Sequence, residues 1–245
     1  MYLTKFPLNL TRRSTVALLA SPYRLHAAIA GSFPHIAPEA NGRILWRVDR
    51  EIEGPANLYI VSPTVPSLVG LDEQCGWPDL DHQWVTRDYD TFLATVSERQ
   101  TYQFRLVANA VVSRSAVSGK DGRSKRLPHL TALQRTAWLV GLVAYEEAGQ
   151  EAPEYLKGQE CSRAERSGFK VLRDSNSGML KLKVSDMHEY DIRQGKRGNR
   201  IKLSTTRYDG MLEVVDASRL RHMLTHGIGH AKGFGCGLMT LARVD

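Results

Sequence analysis

In the first half of the chain, the spacing of apolar residues has the period of a strand in some stretches and the period of a helix in others. Tyr2–Leu10 is rich in strand-forming residues and predicts an opening strand. Ser21–Gly31 begins with serine and proline and ends on glycine, which is typical of a capped helix. Arg43–Arg50 and Leu58–Val61 predict two more strands, and Gln103–Val112 predicts a strong one. With a weak helix before that last strand, the order is that of a ferredoxin-like unit.

The second half of the chain again shows both strand and helix patterns, after a glycine-rich, basic stretch. Ser118–Arg126 predicts a linker or mobile loop, and Thr131 with Gln134 predicts a capping box that opens a helix. Later elements are expected at Leu180–Val184, Arg200–Leu203 and Met211–Val215 (strands), Asp216–Gly227 (helix) and Leu238–Val244 (strand). The fold class is therefore expected to be α+β, with two tandem ferredoxin-like domains of antiparallel sheet. The expected division places residues 1–117 in the first domain and residues 118–245 in the second.

A loop near the carboxyl end has an unusual density of glycine. Gly227–Leu238 holds five glycines in its first eleven residues and one lysine. Such density indicates positive φ angles or a close approach of the backbone to another group. One interpretation is a nest of N–H groups that binds an anion, most simply phosphate. The other is a tight connector that packs against a neighbouring element.

Composition narrows the class of protein. No apolar run approaches the roughly 20 residues of a membrane span, and the first ten residues lack the apolar centre of a signal peptide. The three cysteines are scattered, which favours reduced thiols and argues against a zinc site. We expect a cytoplasmic protein without a membrane partner, bound metal or cofactor, and monomeric when isolated.

The positive charge lies in one half of the chain. Residues 1–122 carry 12 basic and 12 acidic residues, whereas residues 123–245 carry 21 basic and 14 acidic ones. Such asymmetry indicates a polyanionic partner, although a solvated basic face is the alternative. Cations on alternating strand positions and in the turn between them are candidates to contact nucleic acid: Lys181, Lys183, Lys196, Arg197, Arg200 and Lys202.

The first helix carries a pair of residues suited to proton transfer. Tyr23 and His26 are three apart and point away from the stripe of Leu25, Ala28 and Ile29. Histidine exchanges protons near neutral pH, while lysine and backbone N–H groups stabilise charge on phosphate. These groups suit RNA cleavage by attack of a 2′-OH on the adjacent phosphate, which does not require a metal. The fold must then bring His26 and the glycine loop together.

Two other patterns near the glycine loop have weaker implications. His222, His226 and His230 recur at intervals of four and could ligate a metal, but two of them fall on the polar face of their helix. Lys232–Gly235 matches the start of an RNA-binding signature that the following residues break.

Taken together, the motifs resemble the CasE (Cse3) family of CRISPR precursor-RNA endoribonucleases, which are subunits of the type I-E Cascade complex. The likeness rests on collinear segments over nearly the whole chain: Met1–Leu3, Ser21–His26 with Phe33-Pro34, Phe104–Leu106 with Asn109, Gln134 with Trp138-Leu139, and Gly227–Leu238.

The resemblance implies metal-independent cleavage at the base of a repeat stem-loop, leaving 5′-hydroxyl and 2′,3′-cyclic phosphate ends. It implies an enzyme that stays bound to its product and joins other Cascade subunits. By similarity, His26 is the general acid or base and Tyr23 assists at the 2′-OH. Lys232 and the loop glycines Gly227, Gly229, Gly233 and Gly235 are expected to contact RNA. The alternatives are a non-catalytic subunit that binds an RNA hairpin and a metal-dependent nuclease built on the three histidines.

Overall fold

The computed structural model describes residues 1–33, 42–50, 56–78, 84–118, 124–193 and 200–244. Within these ranges the chain forms two compact units that are discontinuous in sequence. The first comprises Met1–Val96, Glu189–Leu203 and Arg221–Leu238, and the second comprises Ser97–His188, Ser204–Leu220 and Met239–Asp245. The units therefore do not follow the single division between residues 117 and 118 that the sequence predicted. No helix in the described ranges has the length and apolar character needed to cross a bilayer.

The first unit has the strand order of a ferredoxin-like sheet. Its elements are β1 (Tyr2–Leu8), α1 (Arg13–Leu19), α2 (Pro22–Ala30), β2 (Leu45–Asp49), β3 (Ala56–Ser62), α3 (Val69–Cys75), β4 (Val85–Asp88) and α4 (Asp90–Thr95). The sheet runs β2-β3-β1-β4, and each neighbouring pair is antiparallel. The two central strands are therefore β1 and β3, with β4 at one edge.

The core of the first unit lies between this sheet and its helices. Phe6 and Leu8 of β1, with Leu58 and Ile60 of β3, are fully buried and join Leu25, Ile29 and Trp46 in one apolar cluster. Period 2 on the strands and period 3.6 on α2 bring these side chains to one face of each element. The buried stripe of α2 leaves its other faces available to carry functional groups.

The second unit repeats the same topology with insertions. Its main elements are β5 (Thr101–Ala108), α5 (Ala132–Val140), α6 (Val143–Glu147), α7 (Glu154–Lys157), α8 (Arg163–Arg166), β8 (Phe169–Val171), most of β10 (Arg200–Val214), the first turn of α9 (Ala217–His226) and β11 (Met239–Arg243). The sheet order is β11-β5-β10-β8, again antiparallel, and β9 (Leu182–Arg193) pairs with β10. A separate hairpin joins β6 (Val111–Ser118) and β7 (Ser124–Pro128).

Three local predictions need correction. The sequence pattern places the strand near Gln103 in the first domain, but β5 pairs with β10 and β11, and the short edge strand β4 completes the first sheet. The strand β4 is mostly exposed and lies in a stretch rich in prolines and acids, so it has no apolar alternation to reveal it. The described residues of the predicted linker Ser118–Arg126, which are Ser118 and 124–126, belong to the paired strands β6 and β7. The helix α1 has no counterpart among the predicted elements.

The predicted helix caps are confirmed. Ser21 caps α2 by accepting a hydrogen bond from the N–H of Arg24, with Pro22 at the first helical position. Thr131 and Gln134 form the predicted capping box at the start of α5. The helix α5 ends at Val140, Gly141 takes a φ of +68°, and the chain restarts as α6.

Candidate active site

The helix α2 holds the two residues that the sequence singled out. Leu25 and Ile29 are buried, which fixes the rotation of the helix on the sheet. Tyr23 is 43% exposed, and His26 is half-buried on the flank of the helix. The helix therefore presents a phenol and an imidazole three residues apart, as predicted.

The imidazole of His26 lies against the glycine loop. A Cβ atom built on Gly233 would lie 3.6 Å from both Cε1 and Nε2 of His26 and 3.9 Å from Cδ2. The Nε2 edge of the ring therefore faces Gly233, and an added Cβ would be at van der Waals distance from it. The structure brings together two groups that are 207 positions apart in the chain, and both belong to the first unit.

Burial shapes the chemistry of His26. Its Nδ1 is buried and has no hydrogen-bond partner among the described residues. Desolvation lowers the pKa of the imidazole below its usual 6.5, because the charged form loses hydration. The ring is therefore mostly neutral at pH 7, with Nε2 as the nitrogen nearest the loop.

The loop conformation depends on its glycines. Gly227, Gly229, Gly235 and Gly237 all have φ between +74° and +90°, and Ala231 has φ of +62°. The N–H of Ile228 donates to the carbonyl of Gly237 at 3.0 Å, which closes the loop at its base. Between these ends, Lys232–Phe234 form one 3-10 turn. This turn contacts α2 and β2.

Part of the loop packs as a tight connector. A Cβ on Gly235 would lie 2.6 Å from Cζ3 of Trp46, and one on Gly227 would lie 2.9 Å from a methyl of Leu45. These two glycines are needed for close packing on β2, which supports the connector interpretation for them. Gly233 differs, because the three atoms nearest to a Cβ at this position all belong to His26 and its φ is not positive.

A buried ion pair fastens the end of the loop to the sheet. Arg47 is only 1% exposed and forms a bidentate pair with Asp49, at 2.7 Å from Nε and 2.9 Å from Nη2. Its Nη1 donates to the carbonyl of Leu238 at 3.1 Å. The guanidinium also lies 5.5 Å from the ring centroid of Tyr59. Charge-assisted bonds of this kind fix geometry, so the pair holds the loop in register with β2.

The lysine of the loop lies near the helix that precedes it. Lys232 opens the 3-10 turn, and its charge contributes, after burial and His226, to a lowered pKa of His222. His222 and His226 stack with ring centroids 3.9 Å apart. The Nδ1 of His226 is within 2.9 Å of the Thr225 hydroxyl and 3.1 Å of the His222 carbonyl. No group of three or more potential metal ligands occurs in the part of the chain that the structure describes.

The predicted cationic strand residues are divided between the two units. Lys181 and Lys183 line a cleft of about 620 Å³ in the second unit, together with Arg105, Arg207 and Asp209. Lys202 is exposed on β10 in the first unit. Arg200 opens β10, and Lys196 and Arg197 fall outside the described residues. Contact of these six side chains with RNA therefore stays a prediction.

A comparison with known families involves almost the whole chain. A family model described as CRISPR associated protein matches residues 1–243. The chain belongs to this family. Within it, the resemblance to CasE/Cse3 is confirmed. The chain is 27% identical over 248 residues to the CRISPR-associated endoribonuclease Cse3 of Thermus thermophilus, covering 99% of this chain and 100% of that protein. A 59-residue segment, 24% of this chain and 28% of its relative, is 39% identical to the Cascade subunit CasE of Escherichia coli.

The fold of the CasE/Cse3 family is also matched in three dimensions. The structure of Thermus thermophilus Cse3 bound to an RNA representing a pre-cleavage complex superposes with a TM-score of 0.70. The identity is 24%, and 98% of each chain is covered. The predicted fold class is confirmed: α+β, with two tandem ferredoxin-like domains of antiparallel sheet.

Sequence reasoning missed the residues that support the loop in this family member. The strand pattern predicts Trp46 and Arg47 only as alternating positions, although Arg47 is buried. Arg47 and Asp49 are opposite charges two apart on a strand, which places them on one face. That spacing was the available signal for the ion pair.

Proposed function

We propose that this protein is a CRISPR precursor-RNA endoribonuclease with its active site between α2 and the glycine loop. The observation that carries the proposal is the position of the Nε2 edge of His26, which faces Gly233 across the space that a Cβ would occupy. A proton-exchanging nitrogen beside a lysine-bearing backbone loop is the arrangement that phosphodiester cleavage by an internal hydroxyl needs.

The proposed reaction is transesterification at one phosphodiester. His26 acts as the general acid or base through Nε2: as base, it accepts the proton of the 2′-OH while O2′ forms a bond to phosphorus. The bond from phosphorus to the 5′-oxygen breaks, and a proton delivered to that oxygen completes the 5′-hydroxyl. The other product ends in a 2′,3′-cyclic phosphate. Tyr23 assists by positioning or deprotonating the 2′-OH.

The charge on the phosphate requires stabilisation as the reaction proceeds. In the proposal, Lys232 and the backbone of Gly227, Gly229, Gly233 and Gly235 contact the RNA around the scissile phosphate. No metal or cofactor is assigned a role, because protons and fixed positive charge account for each bond change.

The proposed substrate is the stem-loop of a CRISPR repeat, cut at the base of its stem. Support comes from the relatives, which are named as a CRISPR-associated endoribonuclease and a Cascade subunit, and from the solved Cse3 complex with RNA. We further propose that the protein keeps its product and joins other Cascade subunits. The A-form major groove is too narrow for ordinary side-chain readout, so contacts to shape and phosphate should dominate binding of the stem.

The decisive experiment incubates the protein with RNA transcribed from the repeat of its own CRISPR array, in EDTA. The proposal expects cleavage with 5′-hydroxyl and cyclic phosphate ends. A substrate with a single 2′-deoxy nucleotide upstream of the scissile phosphate should bind but stay intact. Cleavage of that substrate would exclude attack by the 2′-OH, and loss of activity in EDTA would favour a metal-dependent nuclease.

One variant distinguishes the proposed endoribonuclease from the alternative, a non-catalytic subunit that binds an RNA hairpin. His26→Ala should abolish cleavage while hairpin affinity falls little. Wild-type protein that binds the repeat tightly without cutting it would support the alternative, and a His26→Ala variant that cuts normally would overturn the assignment of His26.

A further inference from the structure

The second unit has a charged cleft that the proposed active site does not use. It lies beside strands β5 and β10 and is called here the β5–β10 cleft. Its lining includes four cations, Arg105, Arg207, Lys181 and Lys183, and one acidic residue, Asp209, all of the second unit. Its volume of about 620 Å³ falls within the roughly 300–1,000 Å³ that is usual for sites of small molecules.

Strand geometry places both arginines and Asp209 on one face of the second sheet. Arg207 and Asp209 are two apart on β10, and Asp209 is the register partner of Arg105 on β5. The adjacent pair, Tyr208 and Leu106, is fully buried and therefore faces the other side. The charged residues thus lie on the face opposite the core.

One carboxylate holds both guanidinium groups of the cleft. Oδ1 of Asp209 lies 2.6 Å from Nε of Arg105, and Oδ2 lies 2.6 Å from Nε of Arg207. Charge-assisted bonds of this kind fix the two guanidinium planes before any ligand arrives. The side chains of Arg105 and Arg207 keep 27% and 16% of their surface exposed, so a ligand in the cleft can touch both of them.

The two lysines reach the cleft through a close approach of the chain at Gly210. The N–H of Met211 donates to the carbonyl of Lys181 at 2.9 Å. A Cβ on Gly210 would lie 2.6 Å from that carbonyl oxygen and 2.9 Å from the ring of Phe104. Glycine therefore leaves the room that the chain at Lys181 needs beside β10. Lys183 follows two residues later, near the start of β9, and is exposed.

The β5–β10 cleft carries an excess of positive charge. Asp209 offsets one of its four cations. Asp174, whose carboxylate lies 3.8 Å from Nζ of Lys181, offsets a second. Four cations against two acids leave two formal positive charges, on side chains that reach solvent. A concave site with this excess attracts an anionic ligand.

We propose that the β5–β10 cleft binds one nucleotide of single-stranded RNA next to the repeat stem, an inference that rests on the proposed function for its ligand. Its phosphate meets the excess charge, and its base lies against the fixed guanidinium planes of Arg105 and Arg207 and against Leu182 and Met211, which also line the cleft. Proteins stack unpaired bases on aromatic rings and on arginine planes. An acidic peptide would match the charge but offers no flat group for these planes.

The test measures the affinity of the full-length protein for two RNAs over a range of salt concentrations. One is the repeat hairpin with its single-stranded flanks and a 2′-deoxy nucleotide upstream of the scissile phosphate. The other is the same hairpin trimmed to its stem. The variant Lys183→Gln removes an exposed cation, so it should fold like wild type. The matched control is Lys157→Gln, which removes the same charge from an exposed lysine of the same unit that pairs with Glu151.

For the flanked RNA, Lys183→Gln should lower the slope of log K against log salt by about 0.7, the value for one phosphate contact of a single strand. This corresponds to about 5-fold in affinity for each tenfold change in salt. The trimmed RNA should bind both variants like wild type. Equal slopes for Lys183→Gln and Lys157→Gln would overturn the cleft as an RNA site. An equal loss with both RNAs would place the stem there and overturn the assignment to a single strand.

A second variant tests the contact with the base. Arg105→Lys keeps the charge but removes the plane, so affinity for the flanked RNA should fall about 5-fold or more with an unchanged salt slope. The control, Arg219→Lys, makes the same change at an arginine paired with Asp216 and should bind like wild type. Tm is measured for every variant, and wild-type affinity in a folded Arg105→Lys would overturn the stacked base.

Two further outcomes separate this inference from its alternatives. If Lys183→Gln kept full RNA affinity but failed to assemble with the other Cascade subunits, the cleft would belong to a protein partner and the inference would be wrong. If wild type bound the flanked RNA through Lys183 but did not cut the unmodified repeat, the proposed endoribonuclease would be wrong while the cleft would be supported.

Discussion

A methyl group added at Gly233 separates the proposed catalytic role of the glycine loop from its structural role. In Gly233→Ala, the new Cβ lies 3.6 Å from Cε1 and Nε2 of His26, an ordinary van der Waals contact. The backbone at Gly233 is not in the left-handed region, so alanine can adopt it. The free energy of unfolding should change by less than about 1 kcal/mol.

The effect on cleavage should be far larger. A base must come within roughly 2.6–3.2 Å of the proton that it accepts, and the methyl occupies the space beside Nε2. Displacing the RNA by even about 1 Å can cost on the order of 100-fold in rate. We therefore expect the single-turnover cleavage rate of Gly233→Ala to fall about 100-fold or more, with urea unfolding close to wild type.

Gly235→Ala is the matched comparison within the same loop. Its Cβ would lie 2.6 Å from Trp46, and its φ of +79° is unfavourable for alanine. The left-handed conformation costs about 1–2 kcal/mol and overpacking about 1–3 kcal/mol, so stability should fall by roughly 2–5 kcal/mol. If Gly233→Ala cleaved at the wild-type rate while folded, the RNA could not lie at the His26 edge of the loop.

Three further predictions concern titration and the buried ion pair. Because burial lowers the pKa of His26, the acid limb of kcat/KM should have an apparent pKa below 6.5, measured across pH 4–8; a limb well above 6.5 would contradict a buried base. Burial, Arg135 and Arg163 lower the pKa of His129 to about 4, so the unfolded chain binds a proton that the folded chain does not. Stability should fall as pH drops from 6.5 to 4, by roughly 3 kcal/mol, and His129→Gln should flatten that dependence in urea titrations. Arg47→Met leaves the buried carboxylate of Asp49 without its partner, so the free energy of unfolding should fall by about 3–5 kcal/mol. A second change, Asp49→Leu, should restore part of this loss. Equal stability of the single and double variants would argue against the pair.

The parts of the fold predicted correctly depend on local chemistry. The Ser21-Pro22 start of α2 and the capping box at Thr131 are decided within four residues, and both formed as predicted. The exposed flank of α2 followed from the helical period alone. Such features require no knowledge of the rest of the molecule.

The parts missed depend on distant partners. The edge strand β4 is defined by pairing with β1, and its own residues are mostly exposed. Which sheet receives β5 depends on β10 and β11, about 100 or more residues later. The burial of Arg47 likewise depends on Asp49 and on the carbonyl of Leu238, and a strand pattern alone does not reveal these partners.

The meeting of His26 with Gly233 combined both kinds of information. Each group was identified from its own residues, and both the chemistry of 2′-OH attack and the family resemblance required them to share a site. The structure places His26 so that its ring faces Gly233, and it also shows that Gly235 and Gly227 serve packing on β2. The glycine loop thus has a supporting part and a part that faces the imidazole.

The order of synthesis gives the loop a further consequence. His26 emerges from the ribosome about two hundred residues before the turn that completes its surroundings. A nascent or prematurely terminated chain therefore carries the imidazole without the glycine loop. Under the proposed function such a chain lacks half of its active site, and the completion of translation is the step that makes cleavage of RNA possible.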